Sequence, residues 1–387
     1  MKKTLLATTA LISVAYAGSA LAQESMVMGP QGADASFGGF YQYRYVTFGD
    51  DNPRPNDETE TLGDSELFVA FSRVADNGVE YSFDAQLEVV NGNQPVPNSA
   101  NQGDVDEAYI TLGGDFGRVR IGNDDHASGS YQTWLGAAGS YGQDDVTYEP
   151  GSSRFPGFVH SDTVNGTAIQ SVLRWYGGDL AYDDASKIAY YSPNFSGFNF
   201  GVSWRDVDGN DESDIAWGAE YSANAMGYAD VTLRASSRTV YGGETVANPA
   251  ESTVSAYGVE VLYDALTVVA SVVDYEVTPG TPNADATTES SSTSFGVGYD
   301  VSNDLNVAFY YTDAESDTHK QSGEFTSLSG SYVIAPGLSL AVALNTFELT
   351  DSDGGYAFAA GGGTSNSRDG AATNEGDEVI VELGVQF

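Results

Sequence analysis

From about residue 35 onward the chain repeats one pattern about sixteen times: a run of roughly ten residues alternates apolar and polar, and a connection follows. The last run is the clearest. Val379, Val381, Leu383, Val385 and Phe387 fall on one side, and Ile380, Glu382, Gly384 and Gln386 on the other. Side chains of a strand have a period of two, so each run has one greasy face and one mostly polar face. Ile215, Trp217, Ala219 and Tyr221 do the same, as do Leu305, Val307, Phe309 and Tyr311, and Leu338, Leu340, Val342 and Leu344. The expected strands are 35–48, 64–75, 78–90, 104–113, 116–122, 187–193, 198–206, 214–223, 228–240, 255–264, 266–277, 292–302, 304–314, 324–334, 337–349 and 377–387. The run at 266–277 is ambiguous, because both of its faces are largely apolar. A soluble sandwich would bury such faces in a core. This many strands with a polar inner face and no apolar core suit a barrel whose greasy wall looks outward into lipid.

The connections are short and long by turns. Asp76-Asn77-Gly78, Gly113-Gly114-Asp115, Pro193 to Gly197, Asn224 to Gly227, Asp264-Ala265, Ser302-Asn303-Asp304 and Ala335-Pro336-Gly337 are hairpin signals. The long, polar connections are 49–63, 91–103, 123–186, 207–213, 241–254, 278–291, 315–323 and 350–376. A soluble sandwich has no reason to sort its loops in this way. An up-and-down barrel of the outer membrane does, with short turns in the periplasm and long loops outside. The expected fold is therefore all-β, a sixteen-stranded antiparallel transmembrane β-barrel. Tyr41, Tyr43 and Tyr45, and Tyr310 with Tyr311, sit near strand ends and suit aromatic girdles at the lipid interfaces.

The chain begins Met1-Lys2-Lys3, runs apolar from Leu5 to Ala17, and reaches Ala20-Leu21-Ala22 before Gln23. That is the layout of a cleaved signal peptide at 1–22, leaving a barrel domain at 23–387. No other segment reaches the roughly 18 apolar residues of a spanning helix. There is no cysteine, which excludes thiol chemistry and cysteine metal sites. Removal of Lys2 and Lys3 takes the formal charge from −40 to −42, which argues against a nucleic-acid partner. Such acidity would suggest disorder, but 24 Tyr and 18 Phe argue for an ordered chain.

The 123–186 connection is far longer than a passive loop. It holds Tyr131, Trp134, Tyr141, Tyr148, Phe155 and Phe158, which argues against disorder. A barrel of about sixteen strands leaves an aqueous lumen. Folded inward, this segment would narrow that lumen; folded outward, it would cap it.

Glu107-Ala108-Tyr109-Ile110-Thr111-Leu112, followed by Gly114-Asp115-Phe116-Gly117-Arg118-Val119-Arg120-Ile121-Gly122, resembles the general porins of Gram-negative outer membranes. So do Tyr190-Tyr191-Ser192-Pro193-Asn194-Phe195-Ser196-Gly197-Phe198 and the terminal Phe387. The resemblance implies a trimeric, sixteen-stranded barrel in the cell outer membrane, with the long third loop (123–186) folded into the pore. It implies a channel for passive diffusion of ions and small hydrophilic solutes, surrounded by outer-membrane lipid and lipopolysaccharide. It also implies that the barrel-assembly machinery reads Phe387 and its strand.

In such porins a transverse field runs from acids on the inserted loop to basic residues on the wall. Here the basic wall would be Arg44, Arg118 and Arg120. Arg118 and Arg120 share a face opposite Val119 and Ile121, and Arg44 lies opposite the tyrosines around it. Arg120 matches the family's arginine, whereas Arg118 stands where a small polar residue is more usual. Asp124, Asp125, Asp144, Asp145 and Glu149 are the candidate acids of the loop. An arginine in lipid would cost about 2–4 kcal/mol near the midplane, which favours the lumen. The simpler alternative is that these arginines neutralise luminal acids such as Asp84, Glu88 and Glu107. Arg205, Arg234, Arg238 and Lys187 are also inward by parity, further around the wall.

The net charge predicts modest cation selectivity. The Asp206–Glu212 stretch lacks the closing glutamate of a calcium loop and reads as solvated, with Ca2+ at acidic loops left as an option. His126, His160 and His319 read as surface residues outside any catalytic motif, so no catalytic residue, cofactor or resident metal is expected. The competing functions are a sugar-type, substrate-specific porin and a non-conducting structural barrel or adhesin.

Overall fold

Each alternating run forms one strand of a computed structural model that describes residues 26–27, 34–50, 59–92, 94–95, 105–133, 185–207, 212–225, 227–241, 249–279, 288–316, 321–351 and 372–387. The strands are β1 Asp34–Asp50, β2 Thr59–Val74, β3 Glu80–Gly92, β4 Val105–Gly114, β5 Gly117–Asp124, β6 Ala185–Tyr191, β7 Phe198–Val207 and β8 Glu212–Ala225. They continue as β9 Ala229–Tyr241, β10 Pro249–Tyr263, β11 Leu266–Pro279, β12 Thr288–Asp300, β13 Leu305–Ser316, β14 Gln321–Ala335, β15 Leu338–Asp351 and β16 Ala372–Gln386. Met26–Val27 and Gln94–Pro95 add short extra pairings on β1 and β3. The segment 1–22, and Asp144, Asp145 and Glu149, lie outside the described residues.

Every strand pairs antiparallel with its sequence neighbour, and β16 returns to β1 from Gly376↔Asp50 to Gln386↔Phe40. The seam is finished by the last residue. Phe387 N donates to Gly39 O and Gly39 N donates to Phe387 O, each at 3.0 Å. A Cβ at Gly39 would meet Glu66 O at 2.6 Å, so glycine lets β1 lie close against β2 at the seam. In lipid every backbone polar group needs an internal partner, and a closed ladder supplies one.

Parity sorts the faces as the sequence pattern requires. Val381, Leu383 and Val385 are exposed, while Glu378, Ile380 and Glu382 are buried. On β11, where both faces are apolar, Val269, Ser271 and Val273 turn inward and Val272 outward. The mostly polar inner wall includes an apolar patch, where Ala343, Ile380 and Val46 stand opposite one another on three neighbouring strands. One expectation needs correction. Tyr310 does not join a lipid girdle. Adjacent strand residues face opposite ways, so Tyr311 looks outward and Tyr310 is buried inside, stacked on Phe325 with centroids 5.7 Å apart.

Toward the long loops the outward columns turn acidic. Asp313 stands opposite Glu324, Glu324 opposite Glu348, and Glu348 opposite Glu375; on the next strands round, Glu276 stands opposite Glu289. These side chains share the parity of Val272, Phe295, Phe309, Leu328, Leu344 and Val381 on their respective strands, so they sit on the outer wall, beyond the apolar band. Directly opposed like charges are destabilising.

The two faces predict opposite responses to charge. Val381→Arg should lower unfolding free energy in phospholipid vesicles by about 2–4 kcal/mol if it lies at mid-membrane. Ser331→Arg, on the inward face, should change it by less than about 1 kcal/mol, as surface substitutions do. Denaturant titration of the folded barrels would read both.

Candidate functional site

Strand β5 carries the arginines that the sequence singled out. Arg120 is buried, and its Nη1 lies 3.1 Å from Asp124 Oδ1, one helical-turn spacing along the chain but two inward positions along the strand. Its guanidinium also sits 4.6 Å from the Tyr109 ring and 5.4 Å from the Tyr191 ring. Arg118 lies 5.4 Å from the same Tyr191 ring. Arg and aromatic faces attract one another, so the two arginines share a luminal platform made by β4 and β6. Arg44 is inward as expected, with its Nε 2.5 Å from Glu382 and further contacts to Gln42 and Asp64.

The acid partners differ from those expected. Asp124, expected on the loop, ends β5 and pairs with Arg120 on the same strand, while Lys187 donates to its backbone carbonyl. Arg234 binds Glu220 at 2.8 Å and Glu260 at 2.7 Å, and Arg238 reaches Asp214 at 2.7 Å. Arg234 and Arg238 are thus held by carboxylates on neighbouring strands, directly opposite or one inward position along, whereas Arg120 is held from its own strand.

The start of the long connection turns inward. His126 is 0% exposed, which corrects its reading as a surface residue. Its Nε2 lies 3.1 Å from Asp214 Oδ2 on β8, and its Nδ1 3.5 Å from Ser203 Oγ on β7. Ser203 Oγ also accepts the Ala127 N–H at 3.0 Å. Arg205 and Arg238 reach the same oxygen of Asp214. A one-turn 3-10 helix, Gly129–Tyr131, follows and lays Tyr131 over the inner wall. There the wall is glycine: a Cβ at Gly201 would meet Tyr131 at 2.8 Å and one at Gly218 would meet it at 2.5 Å, and Gly258 gives the same room to Thr133. Residues 125–133 therefore run round the inside of the barrel across β7 to β10.

Asp214, Ser203 and the three glycines were not singled out from the sequence. Inward parity would have found Asp214, and glycine at inward positions of three strands was the legible trace of a segment lying on them. Burial, with Arg238 and Lys187 nearby, depresses the His126 pKa to about 4 against the pull of Asp214. Burial and the neighbouring Asp124 push the Asp125 carboxyl up to about 7.

A closed, apolar-walled barrel with charge on its inner face and a segment seated in its lumen is an outer-membrane channel. The Gram-negative porin family model matches residues 7–352, and the chain belongs to that family. Its fold is similar to an anion-selective porin from Comamonas acidovorans (15% identity, 92% of this chain and 100% of that one, TM-score 0.58). It is also similar to the outer membrane channel DcaP of Acinetobacter baumannii (13%, 94% and 100%, TM-score 0.59) and to the trimer form of OmpT from Vibrio cholerae (12%, 91% and 99%, TM-score 0.56). No curated protein sequence matches it significantly. Porins of this class are water-filled channels for passive diffusion, and this chain is one of them.

The His126 shift carries a sign. Its folded pKa of about 4 lies below the unfolded 6.5, so the unfolded chain binds the proton first as the pH falls. His126 should therefore contribute stability above pH 6.5 that is lost between 6.5 and about 4. Unfolding midpoints across that window should fall more steeply for the native chain than for His126→Gln.

Proposed function

We propose that the channel is modestly cation-selective and that residues 123–186 form its constriction. The observation that carries this reading is the pairing of the basic wall. Arg44, Arg120, Arg234 and Arg238 each lie against a carboxylate, so their charge is offset where it stands. Asp84, Glu88 and Glu107 add inward carboxylates on β3 and β4, and the whole chain carries −40. A lumen of that sign concentrates cations. In this reading Arg44, Arg118 and Arg120 shape the basic side, Asp124 anchors it, and Asp125, with Asp144, Asp145 and Glu149, supplies the acidic side.

The same reading assigns no covalent chemistry. Ser203, His126 and Asp214 have the composition of a hydrolytic triad. However, all three are almost completely buried, the serine hydroxyl is used by the Ala127 N–H, and Asp214 is shared with two arginines. The group serves as a structural fastening.

For partners we propose a homotrimer in the outer membrane, delivered by a cleaved signal at 1–22 and assembled through recognition of Phe387. The acidic outer belt supports contact with lipopolysaccharide through divalent ions such as Ca2+. Opposed carboxylates need counter-charge, and no cluster of three or more metal-ligating side chains occurs among the described residues. The ions would therefore be condensed along the belt without being chelated.

Two measurements test this. In a potassium chloride gradient, the reversal potential of the refolded channel should favour potassium; a chloride-favouring potential would refute the selectivity. Because Asp125 loses its charge as the pH falls through about 7, that preference should weaken between pH 8 and 6, and Asp125→Asn should flatten the change. For the belt, EDTA should lower the thermal midpoint of barrels in lipopolysaccharide. Glu324→Gln with Glu348→Gln should remove most of that effect.

A further inference from the structure

We propose that the inner wall from β11 to β15 is a binding surface for uncharged, polyhydroxylated solutes, with neutral pyranose saccharides as its best match. The inference adds a solute class to the channel. It rests on the chain being an open channel, and not on where the constriction lies or which ion is preferred.

The inner wall is divided by charge. The ion pairs run from β16 and β1, where Arg44 meets Glu382, round to β10, where Glu260 meets Arg234. From β11 to β15 the inward positions in the strand interiors carry no charged side chain among the described residues; Asp300 and Asp351 stand at strand ends. Hydroxyls replace the charge. Ser271, Ser294, Thr312, Phe325 and Phe347 stand opposite one another across five strands. One inward position nearer the short turns, Tyr310, Ser327 and Asn345 form the next row. Neighbouring strands lie about 5 Å apart and same-face residues about 7 Å apart along a strand, so the two rows make a grid on the scale of a hexose ring.

The grid has an apolar step and polar groups with spare capacity. Phe325 lies opposite Phe347, and Tyr310 stacks on Phe325 with ring planes 17° apart. Thr312 stands beside this step in one row and Ser327 with Asn345 in the other. Ser294 and Thr312 bond each other at 2.9 Å, and Asn345 Nδ2 donates to Glu378 at 2.8 Å. Ser271 Oγ, Ser327 Oγ and Asn345 Oδ1, however, are buried and find no hydrogen-bond partner among the described residues. Buried polar atoms are normally paired, and parity points these three inward. A pyranose answers both features. Its C–H face suits an aromatic ring, and its rim hydroxyls both donate and accept, as serine hydroxyls and an amide oxygen require. A charged solute would give up hydration there and find no counter-charge.

The test is the ion current through the native barrel in planar bilayers, titrated with maltotriose in potassium chloride. The current should fall along a saturating curve. Polyethylene glycol of the same size, which lacks the rim of hydroxyls, should lower it without saturating. Thr312→Val with Ser327→Ala removes two hydroxyls at nearly constant volume. Two neutral hydrogen bonds are worth about tenfold in a binding equilibrium, so half-maximal block should need about tenfold more maltotriose. Phe325→Leu should shift the titration in the same direction by removing the ring. Leu328→Val, on the same strand but facing lipid, should leave it unchanged, which separates loss of the site from a disturbed barrel. Each variant is first shown to be a folded, heat-modifiable barrel. The proposal is overturned if maltotriose acts no differently from polyethylene glycol, or if the hydroxyl and Phe325 variants leave the half-blocking concentration unchanged. Calorimetric titration of the same folded barrels reads binding without any current. A native chain that binds maltotriose and conducts nothing would overturn the open-channel reading alone, and one that binds none would overturn the proposal.

Discussion

The structure depends on one constraint, that a sheet crossing lipid must have no edge. An unpaired backbone N–H or C=O in hydrocarbon costs several kcal/mol, and a strand has one of each at every other position. Closure between β16 and β1 removes both edges at once, from Gly376↔Asp50 down to Phe387 on Gly39. Everything radial follows from it. Once the ring is closed, parity decides for every residue whether it meets lipid or lumen, and one phase error in any strand would put its charges into the bilayer.

That radial rule explains why the arginines and their acids lie where they do. Arg44 and Glu382 stand opposite each other across the very seam that closes the ring, so the ion pair and the closure share a register. Asp214 lies opposite Arg205 on one side and near Arg238 on the other, which lets one carboxylate fix two neighbouring strands. A buried carboxylate between two arginines is costly to disrupt, because removing one partner leaves buried charge uncompensated. It is a firm point to which a loop can be tied.

The fold was legible in the sequence because its signal is periodic. Alternation, turn residues and the rhythm of short and long connections place each strand, and the departures are small. The run expected at 187–193 forms at Ala185–Tyr191, since Pro193 cannot donate to a ladder. The site was legible only in part. Arg44, Arg118 and Arg120 follow from parity, but their partners depend on which strands stand side by side at which height. Asp84 or Glu107 look as plausible as Asp124 or Glu382 until the register is known. His126 was misread because a loop residue is presumed exposed, and only the fixed acceptor on β8 shows otherwise. The acidic outer belt was missed for a related reason. Glu324 and Glu348 each read as the polar end of a strand, and their direct opposition exists only in the paired sheet.

Glycine completes the argument, because it connects the wall to what lies on it. A sheet presents side chains on both faces, so a segment that crosses its inner face must ride above them or find them absent. At Gly201, Gly218 and Gly258 they are absent, and Tyr131 and Thr133 fill the gaps. The same substitutions that lower the floor of the wall weaken strand packing there, and the ion pairs of Asp214 and the aromatic platform of Tyr109 and Tyr191 stand beside the weakened stretch. The wall is thus stiff in the columns that carry charge and open in the columns that receive the segment. On the proposed reading that division lets one barrel combine a rigid, ion-paired wall with a lumen whose width is set by a short piece of chain.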